Sequence, residues 1–115
     1  MNNDFKLKSE LVNDSLVMKA SGYVNNVGGE TIVKEFEKHF NNGTTNVIID
    51  LADSKVVNSI GISYLLEIIE KLMEKKGKLI FTNLDSAIDK SFSIMGIFHF
   101  AEKAPSVDAA LKMME

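Results

Sequence analysis

The sequence contains no cysteine, which excludes disulfides, thiolate metal sites and thiol nucleophiles together. Its apolar runs extend only a few residues, far short of the roughly 20 needed to cross a bilayer, so no membrane partner is expected. The opening segment Met1-Asn2-Asn3-Asp4-Phe5-Lys6 has neither a basic leader nor an apolar stretch. A signal peptide is not expected there, and a cytoplasmic location is. Basic residues number 13 against 16 acidic ones, for a net charge of -3, and they are spread along the chain. Without a basic stripe, nucleic acid is not an expected partner.

Convergent catalytic groups are also scarce. His39 stands near a helix end beside Lys38, and His99 sits between Phe98 and Phe100; neither has a spaced partner in the sequence. No Gly-x-Ser-x-Gly elbow surrounds Ser59, and no Walker-type loop is present. The expectation is therefore a binding protein rather than an enzyme, with no catalytic residue, no metal ligand and no cofactor. Met73, Met95, Met113 and Met114 read as core filling and terminal packing.

What remains is an ordinary globular balance: 115 residues, 45% hydrophobic and 25% charged. One domain over residues 1–115 is expected, large enough to bury about two thirds of its unfolded-chain surface in a single core. Phe5 to Val12 alternates as a half-exposed edge strand does. Asn13-Asp14 marks a turn, and Ser15 to Val24 follows as the second arm of a hairpin, with Leu16, Met18 and Ala20 on one face. Asn25-Asn26-Val27-Gly28-Gly29 interrupts the pattern, and Gly28-Gly29 reads as a hinge or turn. From Glu30, Ile32, Val33, Phe36 and Phe40 recur at helical spacing, and Asn41-Asn42-Gly43 closes that helix.

Val47-Ile48-Ile49 and Leu79-Ile80-Phe81 are continuous apolar runs of the kind found in strands buried on both faces of a parallel sheet. Between them, Val56-Val57 is a brief extended piece. The helix after Ser59 carries Leu65, Ile68, Ile69, Leu72 and Met73 on one face and ends at Lys75-Lys76-Gly77, with cations in its last turn and glycine for a left-handed cap. Ser86 to Ile94 is a shorter helix stopping near Gly96. Ile97 to Ala104 stays ambiguous between strand and extended segment. Pro105 opens a final helix whose buried stripe is Val107, Ala110 and Leu111. The whole reads as an α/β fold: a mixed, mostly parallel sheet of four to five strands with about four helices packed chiefly on one side.

Two places carry candidate chemistry. Asp50 and Asp53 follow a buried strand, where parallel-sheet proteins place ligands; equally, both acids fit a turn in which they bond nearby backbone amides. Ser59 precedes a strongly amphipathic helix, so it or Asn58 could cap the free amides of the first turn. A hydroxyl there is also a good phosphate acceptor, because a phosphoserine would face the positive end of the helix dipole.

Val47-Ile48-Ile49-Asp50-Leu51, followed by Val57-Asn58-Ser59-Ile60-Gly61-Ile62 and Leu65-Leu66, resembles the central signature of STAS domains, typified by bacterial anti-sigma factor antagonists. Ser21-Gly22-Tyr23-Val24-Asn25, Gly77 to Leu84, Met95 to Phe98 and Ser106 to Leu111 resemble the family's flanking elements, so nearly the whole chain is covered. The resemblance implies a STAS-like fold in which the signature serine starts the second helix. It also implies a protein that binds an anti-sigma factor serine kinase, is switched off when that serine is phosphorylated, and is restored by a cognate phosphatase. By position that serine is Ser59, and the implied contact surface is Asn25, Asn58, Ile60, Gly61 and Ile62. The family commonly has aspartate before the serine and an acid in the early turn, where this chain has Asn58 and Asn25, and often a small residue at Ile60. Two other readings stand beside this one: a STAS interaction module of another scaffold or transporter complex, in which Ser59 only caps its helix, and an enzyme or nucleotide-binding domain using Asp50, Asp53 and Ser59.

Overall fold

The computed structural model describes residues 4–115. Residues 1–3, part of the opening segment in which no signal peptide is expected, lie outside the described residues. Strands β1 (Lys6–Val12) and β2 (Ser15–Ser21) form an antiparallel hairpin closed by the pair Val12–Ser15. The two turn residues Asn13 and Asp14 have φ of 50° and 68°, the left-handed pair of a type I′ hairpin turn, which short polar side chains tolerate. β2 ends sooner than its apolar pattern suggests, because Gly22 turns the chain at φ 105°. Val24 returns only as an isolated parallel bridge to Val57.

Helix α1 (Asn26–Phe40) starts ahead of the expected Glu30 and takes Gly28-Gly29 into its first turn. These glycines are not a hinge. A Cβ on Gly28 would lie 2.7 Å from the Tyr23 carbonyl oxygen, and one on Gly29 would lie 2.6 Å from the Tyr64 ring, so both serve close packing. Strand β3 (Asn46–Asp53), helix α2 (Ser59–Glu74), strand β4 (Lys78–Thr82) and helix α3 (Ser86–Ile94) follow. The left-handed residue after α2 is Lys76, at φ 56°. Gly77 is required for a different reason: a side chain there would strike the Thr45 carbonyl, 2.4 Å from a Cβ. The ambiguous stretch resolves into a short 3-10 turn over Ile97–His99 and strand β5 (Glu102–Ala104). Ser106, rather than Pro105, caps helix α4 (Val107–Met113), its hydroxyl accepting from the Ala109 amide.

The sheet order is β1-β2-β3-β4-β5, antiparallel in the hairpin and parallel from β2 to β5. Alternation along the strands separates two cores. Leu16, Met18, Val47, Ile49, Leu79 and Phe81 face α1, α2 and α3, meeting Ile32, Phe36, Leu65, Ile68, Ile88 and Phe92. Val17, Ile48 and Ile80 face the other way and are covered by Ala110, Val107 and Leu111 of α4. The central strands are thus buried on both faces, and three of the four helices share one side. The expected packing role holds for Met114, which lies against the second core, and is corrected for Met73 and Met95, which are 52% and 50% exposed. No helix among the described residues is long and apolar enough to cross a membrane.

Candidate functional site

The first turns of α1 and α2 are held together by the segments that precede them. The Gly22 amide donates to the Asp53 carbonyl (3.0 Å), the Val24 amide to the Val56 carbonyl (3.0 Å), and the Asn58 amide to the Val24 carbonyl (3.1 Å). These bonds extend the β2–β3 pairing past the ends of the strands, so the two helix entrances are fixed relative to each other. Gly61 makes the approach possible: a Cβ there would sit 2.2 Å from the Val24 carbonyl oxygen. Gly29 against Tyr64 brings the two helices themselves together.

Both helices begin with an asparagine cap. The Asn25 side chain accepts from the Val27 and Gly28 amides at 3.0 and 3.1 Å. The Asn58 side chain accepts from the Gly61 amide at 2.8 Å. Capping of α2 therefore falls to Asn58, and Ser59 is the first helical residue. Ser59 is exposed, and its hydroxyl has no hydrogen-bond partner among the described residues. Neither helix has an acidic residue in its first turn, so the positive ends of both dipoles are left uncompensated.

The residues named from the sequence separate into surface and support. Ile60 is 51% exposed beside Ser59, whereas Ile62 is 6% exposed and packs in the main core. Gly61 is buried against Val24. Ile62 and Gly61 therefore lie beneath the exposed surface formed by Ser59 and Ile60: the Ile62 side chain is buried, and Gly61 has none. Three apolar residues not anticipated from the sequence border the same loops and first turns: Tyr23 at 40%, Val27 at 58% and Val56 at 52% exposure. Val56 had a signal, because only one of the adjacent Val56 and Val57 can point inward from an extended segment. Val27 had none while its helix was read as starting at Glu30.

The two aspartates do not converge. Both lie within β3, where the pairing with β2 shifts register between them, and Asp50 is buried while Asp53 is exposed. Asp50 is buried and accepts from the Thr82 hydroxyl at 2.8 Å and the Asn83 amide nitrogen at 2.6 Å. It ties β3 to the end of β4, which corrects the turn reading. An open cleft of about 700 Å³ lies past the ends of β3, β4 and β5, walled by Lys55, Asn83, Asp89 and Lys103 among others. Lys103 there is held by Asp89 at 2.9 Å and lies 5.0 Å from the Phe98 ring centre. Asp50, Asp53 and Ser59 are not among its walls.

His39, read as partnerless, bonds Glu35 four residues earlier, with Nε2 2.9 Å from Oε2. Glu35 also accepts from the Ser9 hydroxyl and pairs with Lys38 at 3.2 Å. The Ser9 bond, with help from His39 and Lys38, lowers the Glu35 carboxyl to about 2. This cluster fastens α1 to β1. His99 is exposed, with its ring edge against Phe100. Among the described residues no group of histidines and carboxylates is arranged to hold a metal ion.

A family model described as the STAS domain matches residues 6–110, which spans both asparagine caps, Ser59 and the whole sheet. The chain belongs to the STAS domain family. Among solved structures, an anti-sigma factor antagonist from Mycobacterium paratuberculosis superimposes with a TM-score of 0.85 at 18% identity, covering 98% of this chain and 96% of that one. A serine-to-glutamate variant of RsbS from Moorella thermoacetica gives 0.81 at 15% identity, covering 95% and 94%. The Bacillus cell fate determinant SpoIIAA in its phosphorylated form gives 0.76 at 18% identity, covering 97% and 100%. At these identities the likeness establishes the STAS fold. No curated protein sequence matches the chain significantly.

Proposed function

We propose that this STAS domain is an anti-sigma factor antagonist that binds an anti-sigma factor serine kinase through the surface around Ser59 and is released when Ser59 is phosphorylated. The observation that carries the reading is the state of Ser59: an exposed hydroxyl with no bond to its own helix, at the first position of α2, beside an exposed isoleucine. Solved relatives of the same fold bear the name anti-sigma factor antagonist, and one was solved phosphorylated. Ile60, Val27, Val56 and Tyr23 supply apolar contact area, and Asn25 and Asn58 shape the backbone between them. Capping by Asn58 weakens the alternative in which Ser59 is kept only to cap its helix. The domain acts in the cytoplasm, and a phosphatase resets it.

The switch follows from magnitudes. A phosphate on Ser59 adds nearly two negative charges, and leaving such a charge unpaired in an interface costs about 3–5 kcal/mol. That weakens the complex by two or more powers of ten, at about 1.4 kcal/mol for each. Within the domain, the same charge gains only about 0.3–1 kcal/mol from the dipole of α2. Affinity changes while the fold does not.

The test is phosphotransfer. The domain is incubated with ATP and each candidate anti-sigma factor kinase from its own genome, and wild type is compared with Ser59→Ala by intact-mass spectrometry. One kinase is expected to add a single phosphate to wild type and none to the variant, while the unmodified variant still binds that kinase. Wild type that stays unmodified with every candidate overturns the proposal.

A further inference from the structure

The sheet has two edges, and they are built differently. β5 is three residues long and runs directly into Pro105, so it offers little to an incoming strand. β1 is seven residues long, regular in register with β2 and free of proline, and no described strand pairs with its outer side. Because Val12 and Ser15 close the turn as a hydrogen-bonded pair, Lys6, Lys8, Glu10 and Val12 exchange backbone bonds with β2. The N–H and C=O groups of Leu7, Ser9 and Leu11 therefore face away from the sheet.

Charge and apolar surface on this edge are also unmatched. Lys8 lies directly opposite Lys19, both exposed, an arrangement of like charges that disfavours the pair. None of Lys8, Lys19 and Glu10 takes part in an ion pair among the described residues. On the helical face of the same strand, Leu11 is 54% exposed.

We propose that β1 is a self-association edge, pairing antiparallel with β1 of a second copy of this chain about a two-fold axis through Ser9. In that register Ser9 meets Ser9, and Leu7 meets Leu11 of the second copy, as hydrogen-bonded pairs made by the groups that face outward. Lys8 then meets Glu10 twice, as non-hydrogen-bonded pairs, whose side chains approach most closely. Charge selects this register over its neighbours. Centred on Lys8 or on Glu10, the pairing sets a residue against its own charge; centred on Leu7, it sets Lys6 against Lys8. Centred on Leu11, it runs into the Asn13-Asp14 turn. The Ser9 register alone among these uses the strand's length, joins opposite charges and makes no like pair.

Each part of the mismatch is then answered. Glu10 of the second copy supplies the carboxylate that Lys8 and Lys19 lack, and Leu11 is covered beside Leu7, which is half-buried at the margin of the core. The two sheets become one. A single pair of short strands is small beside the ~1,200 Å² of a stable interface, so association is weak and concentration-dependent.

Sedimentation equilibrium on the full chain, from about 10 μM to about 1 mM, tests this. Wild type is expected to move from monomer toward dimer mass across that range. Lys8→Glu and Glu10→Lys, both at exposed sites, are expected to keep native circular dichroism and to dimerise at least about tenfold more weakly. An equimolar mixture of these two variants is expected to regain the wild-type dimer, because it again sets opposite charges across the strands. A wild type that stays monomeric, single variants that dimerise as well as wild type, or a mixture that stays monomeric each overturns the proposal.

Discussion

The four helices begin in two different ways. α3 is capped by Asp85 and carries Asp89 in its first turn, and α4 is capped by Ser106 and carries Asp108. α1 and α2 are capped by neutral asparagines and have no acid in the first turn. The chain thus neutralises the dipoles of two helices with fixed carboxylates and leaves bare the two whose entrances are laced together around Ser59. A permanent acid suits a helix end that only needs stability, whereas a bare end suits a charge that comes and goes. The comparison can be broken at several points, and the largest effect is steric.

Gly61→Ala is expected to cost about 3 kcal/mol, near the upper end for an overpacked site. The new Cβ would lie 2.2 Å from a backbone oxygen, where no rotamer change can relieve it. Urea denaturation reads this directly. A cost under about 1 kcal/mol, the smallest expected of overpacking, would mean that the two helix entrances are not rigidly joined. In that case the shared positive surface dissolves.

The next effect separates a carboxylate held by side chains from one held by a helix end. Glu35 lies in the interior of α1, and its carboxyl is held at about 2 chiefly by the Ser9 hydroxyl. Because the folded value lies below the ordinary 4.5, the stabilisation is full above that ordinary value and is lost as pH falls toward about 2. After discounting for solvent at a side chain 22% exposed, it amounts to about 1–2 kcal/mol. Glu35→Gln is expected to flatten stability against pH in that window; an unchanged profile would sink the assignment.

Asn58→Ala and Asn25→Ala are each expected to cost about 1 kcal/mol by removing a cap. Ser59→Ala is expected to change stability by less than about 0.5 kcal/mol, as surface substitutions do. The contrast between adjacent residues is the point. If Ser59→Ala cost as much as Asn58→Ala, the serine would be structural after all.

That contrast also marks what the sequence could carry. Strand and helix order, the hairpin turn and the two-sided burial of β3 and β4 were legible, because Val47-Ile48-Ile49 and Leu79-Ile80-Phe81 are continuous and the helical stripes are regular. Ser59 was placed by its position before α2 and by family resemblance. The start of α1 was not legible: glycine weakens a helix by propensity, and only the opposing Tyr23 carbonyl and Tyr64 ring explain why Gly28 and Gly29 are there. That Ile62 lies beneath the surface around Ser59 was not legible for a related reason. Adjacency to Ser59 along the chain says nothing about which side of a helix a residue faces, and its neighbour Ile60 turned outward while it turned in. Asp50 found its partners on a strand more than thirty residues away, beyond any local pattern.

The smallest effect is the most direct measure of the difference between the helix pairs. Asn58→Asp keeps an equivalent cap and adds a charge at the bare end of α2, so it is expected to stabilise the domain by about 0.3–1 kcal/mol. Asp108→Asn removes the charge from α4, where the residue is exposed and forms no ion pair among the described residues, and is expected to destabilise by a similar amount. Opposite signs are the signature. Both shifts are expected to shrink as ionic strength rises and the Debye length falls toward about 3 Å at 1 M salt, which thermal melts at low and high salt will read. If both persisted unchanged in salt they would belong to local hydrogen bonding, and the bare ends of α1 and α2 would be no more receptive to a phosphate than any other part of the surface.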